Sequence, residues 1–131
     1  MAYYVSPAAR QWLAGKLAAE DLTIGLHTAE PGNAGTTARA KSNTNTAGVT
    51  KVISASAITA TSGEADNDAD VDVFTPNATS AGQAISHISY TIDGTYFGWV
   101  SLQAAVTTVN GVPFVIAAGT IDMIVEAIAQ A

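Results

Sequence analysis

The chain has 131 residues and a mass of 13.3 kDa, enough for one hydrophobic core and too short for two independent domains. Apolar residues make up 48% and charged residues only 12%, which excludes a chain held disordered by low hydrophobicity and high charge. Cysteine is absent, which excludes disulfides, thiolate nucleophiles and sulfur-based zinc sites, and the net charge of −6 sets the chain against phosphate backbones as partners.

The 16 Thr, 9 Ser and 11 Gly favour strands and turns, so the expected class is mainly β: a single β-sandwich or jelly-roll-like domain over 1–131 with a short N-terminal helix. The first residues lack a basic segment followed by an apolar one, so synthesis in a cytoplasm is the default expectation. Ser6-Pro7 reads as a helix start, and Ala9, Trp12, Leu13 and Leu17 follow a helical stripe to about residue 19. From Leu22 the period becomes two, with Leu22, Ile24 and Leu26 on one face and Thr23, Gly25 and His27 on the other. Turn formers from Glu30 to Gly35 open a polar stretch to about residue 48, read as a long surface loop or a weak edge strand.

Val49 to Thr61 reads as one strand closed by a turn at Ser62-Gly63. Val71 to Phe74 is a short strand ended by Pro76-Asn77. Ala84 to Ile92 follows, with Ala84, Ser86, Ile88, Tyr90 and Ile92 expected on one side. Asp93-Gly94 is the strongest hairpin signal, since both residue types tolerate the positive φ of a type I′ turn, and it leads into a strand from Tyr96 to about Val106. Asn110-Gly111 supplies a second turn into Val112 to Ala117, and Ala118-Gly119 introduces a last strand from Thr120 to about Ala129, with a helix over 121–130 as its rival. Residues 94–121 carry no charge, but Gln103, Thr107, Thr108, Asn110, Gly111 and Pro113 interrupt any membrane-length apolar run, so paired strands and no membrane are expected.

All five bases lie in the first 51 residues, and from residue 52 onward there are eight acids and no base. Such a field repels nucleic acid, and none is expected as a partner. Glu64, Asp66, Asp68, Asp70 and Asp72 recur at every second position, which on one extended strand aligns them on one face; a calcium loop fails because Val71 and Asn77 stand where the turn glycine and the closing acid belong. A solvated acidic edge is the plainer reading. His27 and His87 lack metal-ligand spacing, and no nucleophile elbow, phosphate loop or dinucleotide fingerprint occurs, so no catalytic, cofactor or metal residue is assigned. Tyr90, Tyr96, Phe97 and Trp99 flank the hairpin turn, with Tyr90 expected opposite Phe97 and diagonal to Trp99. The candidate interaction surface is Tyr90, Tyr96 and Trp99 together with Asp66, Asp68, Asp70 and Asp72.

The segment Leu26-His27-Thr28-Ala29-Glu30-Pro31-Gly32, with Ile85 to Tyr90, Tyr96-Phe97-Gly98-Trp99 and Ala117 to Asp122 behind it, resembles a family of small virion proteins of tailed bacteriophages. The likeness spans most of the chain; the acidic repeat and a middle loop without the family's Gly-Tyr-Ala-Arg stretch depart from it. The resemblance implies a non-enzymatic accessory protein on the outside of the particle, decorating the capsid or forming part of the tail. Its implied partners are other virion proteins and further copies of itself in a homo-oligomer. The alternative is a carbohydrate-binding sandwich that uses the aromatics around Asp93-Gly94 in host attachment.

Overall fold

The computed structural model describes residues 6–55, 58–61, 64–119 and 121–124. In chain order it contains α1 (Pro7–Ala18), β1 (Leu22–His27), β2 (Thr50–Ile53), β3 (Ile58–Thr61), β4 (Glu64–Asn67), β5 (Val71–Phe74), β6 (Ala84–Ile92), β7 (Thr95–Thr107), β8 (Phe114–Ile116) and β9 (Asp122–Ile124). The chain is mainly β with one short N-terminal helix, and its strands pair antiparallel. The largest sheet runs β2-β1-β6-β7; two smaller ones run β3-β4-β9 and β5-β8.

Helix α1 begins where Ser6 caps it, its hydroxyl accepting the Ala9 N–H at 3.1 Å, with Pro7 at a position where a missing N–H costs nothing. The expected stripe is rotated. Trp12 and Leu13 are exposed, while Ala14 is buried and Leu17 and Ala18 pack against the core. A small residue at the contact lets the helix lie close to β3 and β4.

The core is built on β1. Leu22, Ile24 and Leu26 are fully buried on one face, and Ile85, Ile88 and Tyr90 of β6 lie beside them. Ala65 of β4, Val73 of β5, Phe114 and Ile116 of β8, and Ile121 close the same cluster, so the two small sheets share the other side of the core. Phe74 and Phe114 meet with ring centroids 6.4 Å apart across the β5–β8 pair.

Asp93 and Gly94 both adopt positive φ, 49° and 74°, as the two-residue hairpin requires. The strand after them has two irregularities. Tyr90 stands opposite Gly98 instead of Phe97, because one extra residue enters β7 near the turn, and Trp99 faces Ser89. Further on, Ile85 pairs with Val106 but His87 with Ser101, so Leu102 to Ala105 oppose Ser86 alone. The second irregularity shifts the inward face of β6 by one residue: Ile85 is buried while Ala84 is exposed, and the expected one-sided set holds only from Ile88 to Ile92.

The single strand expected over 49–61 is two strands in different sheets, β2 and β3. The turn expected at Ser62-Gly63 lies outside the described residues, as does the expected last strand beyond Ile124. Asp122–Ile124 is strand and not helix. The buried Asn67 ties the end of β4 to the approach to β9. Its Nδ2 donates to the Ala69 and Ala117 carbonyls at 2.8 and 3.2 Å, and its Oδ1 accepts the Ile121 N–H at 3.0 Å. Asn67→Ala leaves that buried N–H without its acceptor, so a loss of about 1–3 kcal/mol is expected, read as a lower urea midpoint with an unchanged slope.

Candidate functional site

Alternation along β1 turns Thr23, Gly25 and His27 away from the core, onto a face that open water would otherwise cover. The segment 28–48 folds back and roofs it. Thr28 N–H donates to Ala38 O at 2.9 Å, Thr37 N–H to Pro31 O at 3.0 Å, and Ala40 N–H to Leu26 O at 2.9 Å, with Arg39 bridged to His27. What reads as a loose polar loop is therefore held at both ends. Its second half is fastened by side-chain amides: Lys41 N–H donates to Gln83 Oε1 at 2.7 Å, Gln83 Nε2 returns a bond to Lys41 O at 2.9 Å, and Asn43 Nδ2 donates to Thr75 O at 2.8 Å. Ser80, fully buried, donates its hydroxyl to Asn43 Oδ1 and accepts the Thr108 hydroxyl on its carbonyl.

His27 is the bolt between roof and sheet. Its ring is 1% exposed, and Nδ1 lies 2.8 Å from the Thr37 carbonyl, which can only accept, so Nδ1 carries the proton. Nε2 is then an acceptor, and the Ser89 hydroxyl donates to it at 2.8 Å. Gly25 lies beneath this bond: a Cβ there would stand 2.6 Å from Ser89 Oγ and 3.3 Å from His27 Nε2. Between roof and sheet lies a cleft of about 210 Å³, lined among others by Thr23, Gly25, His27, Arg39, Ser89 and Thr91.

A serine hydroxyl on a histidine Nε2 is the geometry of an activated nucleophile. The surroundings oppose that use. The group orienting Nδ1 is a carbonyl and not a carboxylate; burial holds the His27 pKa below its ordinary 6.5, against the opposing hydrogen bond to Thr37 and with smaller lowering contributions from Arg39 and His87. A base so weakened takes up a proton poorly, and the pair acts as a clamp.

The aromatic candidates separate. Tyr90 faces the core and is buried. Tyr96 lies against Gly35, its hydroxyl donating to Gly32 O at 3.0 Å, so it belongs to the roof's attachment; burial and the nearby Glu30 raise its phenol above 10.0. Trp99 and Phe97 are 40% and 55% exposed, and the Trp99 ring meets His87 edge to face at 5.2 Å. Of the candidate aromatic set, Trp99 is the one that presents an open ring.

The acidic run does not share one face. Asp66 lies on β4 half-buried, Asp68 is exposed at a bend, Asp70 caps the Ala118 N–H at 2.9 Å, and Asp72 is exposed on β5 in another sheet. Among the described residues no group of three or more His, Asp or Glu is placed to hold a metal ion. No described helix is long and apolar enough to cross a membrane.

One feature escaped the sequence reading. Val106, Val109, Val112 and Val115, each about half exposed, line a groove of about 220 Å³ with Pro113 and Phe114. Their spacing of three was visible, but the turn formers between them concealed that all four stay outside. No protein-family model matches the chain, and no curated protein or solved structure does either.

A neutral buried histidine makes stability depend on pH. Its folded pKa is depressed, so the unfolded chain takes up a proton that the folded one refuses, and the contribution is complete above 6.5 and lost as the pH falls below it toward the lowered folded value. His27→Gln is expected to remove that part of the slope and to lower stability by about 1–3 kcal/mol near neutral pH. Urea midpoints of both proteins between about pH 5 and about pH 7.5 check this.

Proposed function

We propose that this protein is a non-enzymatic accessory structural component on the outside of a tailed-phage particle, with capsid decoration favoured over a place in the tail. The observation that carries the reading is the valine groove at the end of β7 and the start of β8. It exposes four large apolar side chains on a stretch without charge from Gly94 to Ile121, and contiguous exposed apolar surface of this kind marks association with another protein. Resemblance to small virion proteins supplies the kind of neighbour, a capsid or tail protein. A compact acidic domain without fibre repeats suits a cap on a lattice better than an elongated shaft.

Density or immunogold label for this chain on capsomers of intact particles is the expected result; particles that carry none of it overturn the reading. Val112→Glu, a change at an exposed position, is expected to lower particle occupancy at least about tenfold, equivalent to about 1.4 kcal/mol of contact, while the circular dichroism spectrum stays that of the wild type.

The second reading, carbohydrate binding in host attachment, rests on the exposed rings of Phe97 and Trp99. Glycan-array signal that Trp99→Ala abolishes favours it, and an array without signal removes it.

A further inference from the structure

We propose that the free edge of β7 is a self-association seam, at which two copies of this chain pair their β7 strands antiparallel across a two-fold axis and join two four-stranded sheets into one. The inference names the partner left general by the assembly reading and rests on that reading only for the premise that the protein works by association.

Strand β7 is the last strand of its sheet among the described residues, bonded to β6 on one side. Among the described residues no strand lies against its other side, where backbone N–H and C=O groups line a strand of 13 residues when about 5–6 is usual. Backbone polar groups so placed form a template for another strand, and native edges are ordinarily guarded by a charge, a proline, a bulge or shortness. The opposite edge of the same sheet has two of these guards: β2 is four residues long and carries the exposed Lys51. Strand β7 has no Lys, Arg, Asp, Glu or Pro from Thr95 to Thr107. Its irregularities, near Phe97 and over Leu102 to Ala105, leave the regular stretch Gly98 to Ser101 between them. A seam confined to that stretch closes on one copy instead of growing into a fibre.

Charge selects a second copy as the occupant. The chain carries −6, so two copies repel wherever their charged surfaces meet, and the stretch from Gly94 to Ile121 is the long part of the chain where they do not. Antiparallel pairing about a two-fold sets uncharged β7 residues against uncharged β7 residues. A basic partner finds nothing on this edge to recognise. Pairing would also cover the outer flank of Val100 and Leu102, which pack against the core yet remain partly open, and the exposed face of Trp99.

The test is sedimentation equilibrium of the full chain at about 10 to about 100 μM, where a seam of this size populates its dimer. The wild type is expected at twice 13.3 kDa. A two-fold at Val100 puts Ser101 of the two copies on the diagonal, about 7–8 Å apart. Ser101 is exposed, so Ser101→Glu and Ser101→Lys keep the fold, as circular dichroism checks, and each is expected to raise the dimer Kd at least about tenfold by bringing like charges within reach of each other. An equimolar mixture of the two is expected to recover the dimer, which a merely structural effect of either substitution would not do. A wild type that sediments as a monomer throughout, or charged variants that associate as the wild type does, overturns the seam. A monomer that still decorates particles removes the seam and leaves the assembly reading intact; a dimer missing from particles does the reverse.

Discussion

The architecture turns on burying β1 from both sides. One face of a central strand is easily covered, since Leu22, Ile24 and Leu26 enter a core that every sheet helps to fill. The other face carries Gly25 and His27, and it is closed only because the 28–48 segment returns over it and accepts the His27 Nδ1–H on the Thr37 carbonyl. That single ring joins three pieces of chain, β1, the roof and Ser89 of β6, through one donor and one acceptor. Both nitrogens are committed, and burial lowers the pKa of the ring, which favours its neutral form.

This arrangement uses a serine and a histidine at bonding distance to hold the roof to the sheet. In the serine triad a carboxylate stands behind the imidazole; here a backbone carbonyl takes that place, Arg39 lies nearby, and the roof covers the ring. The polar groups of the molecule follow the same economy. Asn43, Asn67 and Gln83 donate from their side chains to backbone carbonyls of irregular segments and Ser80 accepts the Asn77 N–H, which lets long stretches without strand pairing lie against the sheets with backbone groups satisfied.

Besides the polar groups bonded internally, the molecule exposes several large apolar side chains. The valine groove, the open ring of Trp99 and the free edge of β7 all lie in or beside the uncharged stretch from Gly94 to Ile121, while the carboxylates are distributed over β4, β5 and the bend between them. The two kinds of group are not segregated in space, since Asp72 of β5 stands directly across from Val115 of β8. The proposed seam on β7 and the groove beyond it are distinct features, one made of backbone groups and the other of side chains.

Local chemistry was enough to place most elements. The cap at Ser6-Pro7, the alternation from Leu22 to His27, the strand from Val71 to Phe74, and the hairpin at Asp93-Gly94 were legible because each depends on residues within a few positions of one another. What the sequence could not determine depended on partners distant along the chain. Tyr90 and Tyr96 look alike in a cluster of aromatics, yet one is core and the other fastens the roof, because extra residues in β7 shift the register and no local signal announces them. The acidic run reads as one face until the chain bends at Asp68 and divides it between two sheets. The meeting of His27, Thr37 and Ser89 joins residues up to 62 positions apart, and only tertiary pairing decides such a contact, since strand alternation states which side a residue takes and never what will cover it.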